Sequence, residues 1–151
     1  MKHIKHIIGI IICLLSFNLF AQNKNICFEK RINWDQGMDT KKDNRVAQMP
    51  GTITTFHFYE KDKKANTFGI YANKEAILSI SLSNSPCKME VAPSCKKVGI
   101  NNNEKDLKAF EELTIFNCPD LKPDQKVYFN VRVDRDVNCK KDGCLYKVYF
   151  R

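Results

Sequence analysis

The sequence predicts an all-β protein: an antiparallel β-sandwich of seven to eight short strands, with at most one short helix and three disulfides. Three observations carry that expectation. Runs of alternating apolar and polar residues recur from Gly51 to the end of the chain, and period-2 alternation marks a strand with one buried and one wet face. Turn-forming groups such as Asn84-Ser85-Pro86 separate these runs at steady intervals, the spacing of a sandwich. Cysteine is abundant for a chain of 151 residues, and cysteines in an exported domain read as a disulfide framework.

Export is expected from the first 21 residues. Lys2 and Lys5 make a basic start, Ile7 to Leu15 an apolar run, and Ser16 to Ala21 a less apolar exit with a small residue before a cut near Ala21/Gln22. The apolar run is shorter than the ~20 residues a spanning helix needs, so the mature chain is expected to be secreted or periplasmic with no transmembrane segment. Cys13 follows the bulky Ile12, unlike a lipid-modified cysteine. Cleavage removes Lys2 and Lys5 and lowers the net charge from +8 to +6. It also removes His3, His6 and Cys13, leaving His57 as the one histidine and Cys27, Cys87, Cys95, Cys118, Cys139 and Cys144 for three bridges.

Cys139 and Cys144 flank a Gly-containing turn and are expected to pair, as are Cys87 and Cys95 across another short loop. Six cysteines allow 15 connectivities, and sequence alone does not choose among them. With those two local pairs, Cys27 would pair with Cys118, closing a long loop worth about 4–5 kcal/mol in the chain-entropy model. Zinc is not expected, because the spacings C-x7-C and C-x4-C do not fit a zinc knuckle and no second histidine remains. No cofactor is expected.

After the leader, residues 22–50 read as an irregular polar arm held by Cys27, with Trp34 plugging a sandwich edge; residues 51–151 form the β-sandwich domain. Thr52 to Tyr59 and Thr67 to Ala72 are β-branched and aromatic runs around a charged loop, and the simplest reading is a hairpin. Ala76 to Ser83 alternates cleanly, with Ala76, Leu78, Ile80 and Leu82 inward and Ser79, Ser81 and Ser83 toward water. Met89 and Val91 suggest a short strand, and Val98 to Ile100 another. Asn103 to Glu112 is the one helical candidate, with Asn103 as N-cap and Glu104 and Lys108 a turn apart; it is two or three turns at most, and a loop is the equal alternative. Leu113 to Cys118 follows as a strand. Val127 to Val133 sends Val127, Phe129, Val131 and Val133 inward and Tyr128, Asn130 and Arg132 outward, after a turn containing Pro123. Cys144 to Arg151 closes the domain, with Tyr146, Val148 and Phe150 on one face.

Leu121 to Val133, with its Leu-x-Pro turn leading to a Tyr and an alternating strand, resembles the corresponding stretch of fibronectin type III domains. A wider likeness covers about two thirds of the chain. Gly51-x-Ile53, TFGIYA, EAILSISLS, YFNVRV and LYKVYF follow one another as in bacterial pre-peptidase C-terminal (PPC) domains. The periplasmic inhibitors of g-type and i-type lysozymes are similar to the same pattern. They carry a Ser-Gly-x-(x)-Tyr loop just before the tyrosine strand; here Tyr128 matches, and Asp124-Gln125 stand in the Ser-Gly place. The resemblance implies a non-catalytic binding module whose loops at one end make the contacts. The residues so indicated are Lys122, Asp124, Gln125, Lys126 and Tyr128, joined by Lys140 and Lys141 in the turn before the last strand. The implied partner is a protein such as a lysozyme, or an anionic glycan or envelope surface; nucleic acid is not the expected partner.

The alternative is a small basic secreted hydrolase or toxin, nuclease-like, using His57, since histidine alone titrates near neutrality and positive charge attracts phosphates. Such a base needs a carboxylate, for which Glu60 and Glu75 are the candidates. Against it, a lone histidine on a strand is ordinarily a surface residue, and no Gly-x-Ser-x-Gly, HExxH or phosphate loop occurs. Asp134 and Asp136 lack the oxygen-rich loop of a calcium site, and Arg132 and Arg135 beside them are the expected partners. The lysine groups Lys41-Lys42, Lys61-Lys63-Lys64, Lys96-Lys97 and Lys140-Lys141 are expected to solubilise loops and protect edges.

Overall fold

A computed structural model describes residues 26–32, 45–58, 65–72, 77–101, 110–134, 139 and 143–150. Among the described residues, nine strands lie in two sheets. In chain order they are β1 (Cys27–Ile32), β2 (Arg45–Gln48), β3 (Ile53–Phe58), β4 (Thr67–Ala72), β5 (Ile77–Ser83), β6 (Lys96–Asn101), β7 (Phe110–Thr114), β8 (Tyr128–Val133) and β9 (Cys144–Phe150). One sheet runs β1-β3-β8-β5-β6 and the other β2-β9-β4-β7. The only helical pieces among the described residues are 3-10 turns at Pro93–Cys95 and Ile115–Asn117.

The alternating residues build the core as the pattern requires. Phe129, Val131 and Val133 on β8, Leu78, Ile80 and Leu82 on β5, and Tyr146, Val148 and Phe150 on β9 are all buried together. Phe129 stacks on Phe68 of the facing sheet at 5.8 Å between ring centroids, and Phe56 meets Tyr146 edge-on at 6.5 Å. A polar clasp also joins the sheets. The Tyr146 hydroxyl donates to Gln48 Oε1, and Gln48 Nε2 donates to the Thr52 and Val131 carbonyls at 2.7 and 3.1 Å. Burial without a charge partner pushes the Tyr146 phenol far above its usual range. Gly143, at φ 93°, lets the chain enter β9 close to Gln48, whose carbonyl oxygen would lie 2.8 Å from any added Cβ.

Several expectations are corrected. The runs at β3 and β4 do not form a hairpin: β3 pairs with β1 and β8, whereas β4 sits in the other sheet between β9 and β7. The arm at residues 22–50 supplies β1 and β2, one to each sheet. The sandwich is not wholly antiparallel, because β1 runs parallel to β3. The chain visits the other sheet as β2 between these two strands, and such a crossover is what a parallel pair requires. Phe110, Glu111 and Glu112, the end of the helical candidate, are in β7; its earlier residues, Trp34, the leader and Asp136 lie outside the described residues. Met89 and Val91 form no strand.

The bridges are Cys27–Cys87, Cys95–Cys118 and Cys139–Cys144, with Cα separations of 5.9, 5.1 and 4.9 Å. The expected Cys87–Cys95 and Cys27–Cys118 pairs are therefore replaced. Loop closure alone favours the short Cys87–Cys95 pairing, but residues 84–92 double back over the outer face of the five-stranded sheet, which carries Cys87 to β1 and leaves Cys95 facing Cys118.

Candidate functional site

The expected contact rim is built by β8 and the turn before it. Leu121 is buried and anchors the turn, with its N–H donating to the Cys118 carbonyl at 3.1 Å. The Gln125 N–H donates to the Lys122 carbonyl at 3.3 Å, and Gln125 Nε2 reaches the Asp120 carbonyl at 3.4 Å. That geometry leaves Lys122, Pro123, Asp124 and Lys126 exposed, with Gln125 half-buried. Tyr128 opens β8 half-buried on its outer face, opposite Ser83. The Lys126 ammonium lies 4.8 Å from the centre of the Tyr128 ring, a cation–π contact.

His57 joins this group from β3. Its ring centroid is 5.9 Å from that of Tyr128. At 9% exposure His57 is buried, and its Nδ1 makes no hydrogen bond. Its pKa is lowered, first by burial and then by Lys126 and Arg31, with Glu29 pulling the other way. His57 is thus a neutral ring backing Tyr128, and not the surface residue that its isolated position in the sequence implies. No carboxylate hydrogen-bonds to it among the described residues; Glu60 and Glu75, the candidates for the base–carboxylate pair, lie outside them.

Five of the expected contact residues, Lys122, Asp124, Gln125, Lys126 and Tyr128, come together in this way. Lys140 and Lys141 lie outside the described residues. Lys96 and Lys97 are drawn into ion pairs instead, with Glu90 at 3.5 Å and with Glu111. Asp134 accepts from Arg132 Nε at 3.0 Å and from the Ser79 hydroxyl at 2.8 Å, so Arg132 is its partner as expected. No group of three or more His, Cys, Asp or Glu side chains able to hold a metal ion occurs among the described residues, and no helix among them is long and apolar enough to cross a membrane.

Above the rim, the outer face of the five-stranded sheet departs from its expected wetness. Ser79, Ser81, Ser83, Thr55 and Asn130 are all buried. Residues 84–92 form a strap over Ser81, Ser83 and Asn130, and Asn130 holds the strap down. Its Oδ1 accepts from Thr55 Oγ1 at 2.6 Å and from the Cys87 N–H at 2.8 Å. Its Nδ2 donates to Ser81 Oγ, Ser83 Oγ and the Lys88 carbonyl at 3.0, 2.8 and 3.1 Å. Ser81 Oγ donates to the same carbonyl at 2.7 Å. Cys87 takes the left-handed backbone conformation, at φ 56°, a costly state for a residue with a Cβ that its surroundings must enforce. Alternation alone gives no signal for this strap, because serine and asparagine look the same in sequence whether water or backbone satisfies them.

Compared with known proteins, the chain matches no family model and no curated protein.

Proposed function

We propose that the chain is an exported, non-catalytic binding module that holds a negatively charged glycan or envelope surface on the rim from Lys122 to Tyr128. The observation that carries the reading is the Lys126 ammonium set over the Tyr128 ring. It offers a flat aromatic edge and a positive charge at one spot. An acidic sugar has both complements, an apolar ring face to stack and an acid group to pair. His57 behind Tyr128 stiffens the platform, and Asp124 supplies an acceptor for hydroxyls. The +6 charge expected of the mature chain adds long-range attraction to such a surface. Three disulfides fit an oxidising compartment.

Binding to heparin, followed by calorimetry, tests this reading. Affinity is expected to fall steeply with added salt, and Lys126→Ala and Tyr128→Ala are each expected to weaken it about threefold or more. Binding that persists at high salt, or that ignores both substitutions, would overturn it.

A protein partner is the second reading, favoured by the exposed turn at Lys122, Pro123 and Asp124. It occupies the place where the lysozyme inhibitors that the sequence resembles carry their loop. If micromolar protein leaves g-, i- and c-type lysozymes uninhibited, that reading is dropped.

A further inference from the structure

A cavity of about 360 Å³ lies between the strap and the turn at Asp120-Leu121. Its apolar lining comes from Leu121 on one side and from Val91 and Ala92 on the strap side, with Leu82 buried beneath. The Cys95–Cys118 bridge ties the 3-10 turn that ends the strap wall to the segment carrying Asp120 and Leu121. The two walls are thereby fixed and the cavity is preformed. Ser83, the polar residue at depth, is already engaged: its hydroxyl donates to the Ser85 carbonyl at 2.6 Å and accepts from Asn130. A ligand's polar groups must therefore be met at the mouth.

Asn84, Lys88, Glu90 and Asp120 line that mouth, all exposed, and Glu90 is already paired with Lys96 at 3.5 Å, which leaves Asn84, Lys88 and Asp120. None of the three makes a side-chain hydrogen bond or ion pair among the described residues. Lys88 and Asp120 carry opposite charges into one opening without pairing. An anion would satisfy Lys88 and be repelled by Asp120, and a cation the reverse. A ligand bearing both charges satisfies both. The volume is at the small end of the roughly 300–1,000 Å³ range of small-molecule sites, enough for one apolar side chain and a zwitterionic head.

We infer that this cavity binds a small zwitterion with an apolar side chain, of the leucine or phenylalanine class, its side chain against Leu121, Val91 and Ala92, its ammonium toward Asp120 and its carboxylate toward Lys88. The site adjoins the Lys122–Tyr128 rim at Leu121 but uses none of the residues that would hold an anion there, and it stands whether or not that rim binds anions.

Amide chemical-shift titration of the oxidised protein tests it, with L-leucine and L-phenylalanine as probes and glycine, 4-methylpentanoate and 3-methylbutylamine as controls. Saturable shifts at Val91, Ala92 and Leu121 are expected with the two amino acids and not with the controls. Asp120→Asn and Lys88→Gln, both on the surface, should each weaken binding by about two- to fivefold, and Ala92→Phe should abolish it by filling the cavity. If Ala92→Phe fails to fold, the two surface variants carry the test alone. Absence of shifts with both amino acids overturns the site. Equal binding of leucine and 4-methylpentanoate, or affinities unchanged in both surface variants, overturns the zwitterion assignment.

Discussion

Asn130 and Cys87, 43 residues apart in sequence, meet where the Cys87 N–H donates to Asn130 Oδ1 at 2.8 Å. That bond joins a strand interior to the strap that covers it. Cys87 is bound a second time through its disulfide to Cys27 on β1, so the strap is held by one hydrogen-bonded centre and one covalent link.

Asn130→Ala should be among the most destabilising single changes in the protein. It would leave the Cys87 N–H, the Lys88 carbonyl and the Thr55 and Ser83 hydroxyls short of a partner in a buried layer, at a cost of about 2–4 kcal/mol. Urea unfolding would show a lowered midpoint. Asn130→Asp keeps the acceptors but loses the donors to Ser83 and Lys88, and should also destabilise.

Removal of single bridges should rank by the loops they close. Cys27–Cys87 spans 60 residues and Cys139–Cys144 spans 5. The chain-entropy model gives about 4 kcal/mol for the first and about 2 kcal/mol for the second. Paired Cys→Ser variants, compared by thermal melting, should show the larger loss for Cys27 and Cys87.

Stability should decline on mild acidification because of His57. Its pKa is lowered in the folded protein from the ordinary 6.5, so between the ordinary and the lowered value the unfolded chain binds more protons than the folded one. The stability from its neutral ring is therefore complete above about 6.5 and is lost as pH falls through the folded value. Urea midpoints measured across this window should fall for the parent and fall less for His57→Gln.

Gly69 should not tolerate alanine. It lies in β4 beneath the Tyr149 ring, which stacks at 4.8 Å on Phe110 and donates to Glu112, and an added Cβ would strike that ring. Gly69→Ala is expected to cost about 1–3 kcal/mol. Tyr149→Ser in the same chain should recover part of the loss, as a double-mutant cycle would measure.

Where one face of a strand is apolar, the sequence was easy to read. Leu78, Ile80 and Leu82, Phe129, Val131 and Val133, and Tyr146, Val148 and Phe150 all point into the core as their alternation requires. Alternation reports which residues share a face but not which strand lies alongside, so β3 and β4 looked like a hairpin. Of the candidate rim, Tyr128 and the lysines before it were legible because they are close in sequence. The approach of His57 to Tyr128 was not, because it depends on β3 pairing with β8.

By itself, then, the sequence determined the two-sheet class, the composition of the core and the presence of three bridges, because these follow from local periodicity and from the cysteines. Tertiary structure decided the partners of Cys27, Cys87, Cys95 and Cys118, the burial of Ser81, Ser83 and Asn130, and the cavity beside Asp120. The physical reason is common to all three. Residues 84–92 fold back over an outer face that looks polar in sequence, and backbone groups there do the work that alternation assigns to water.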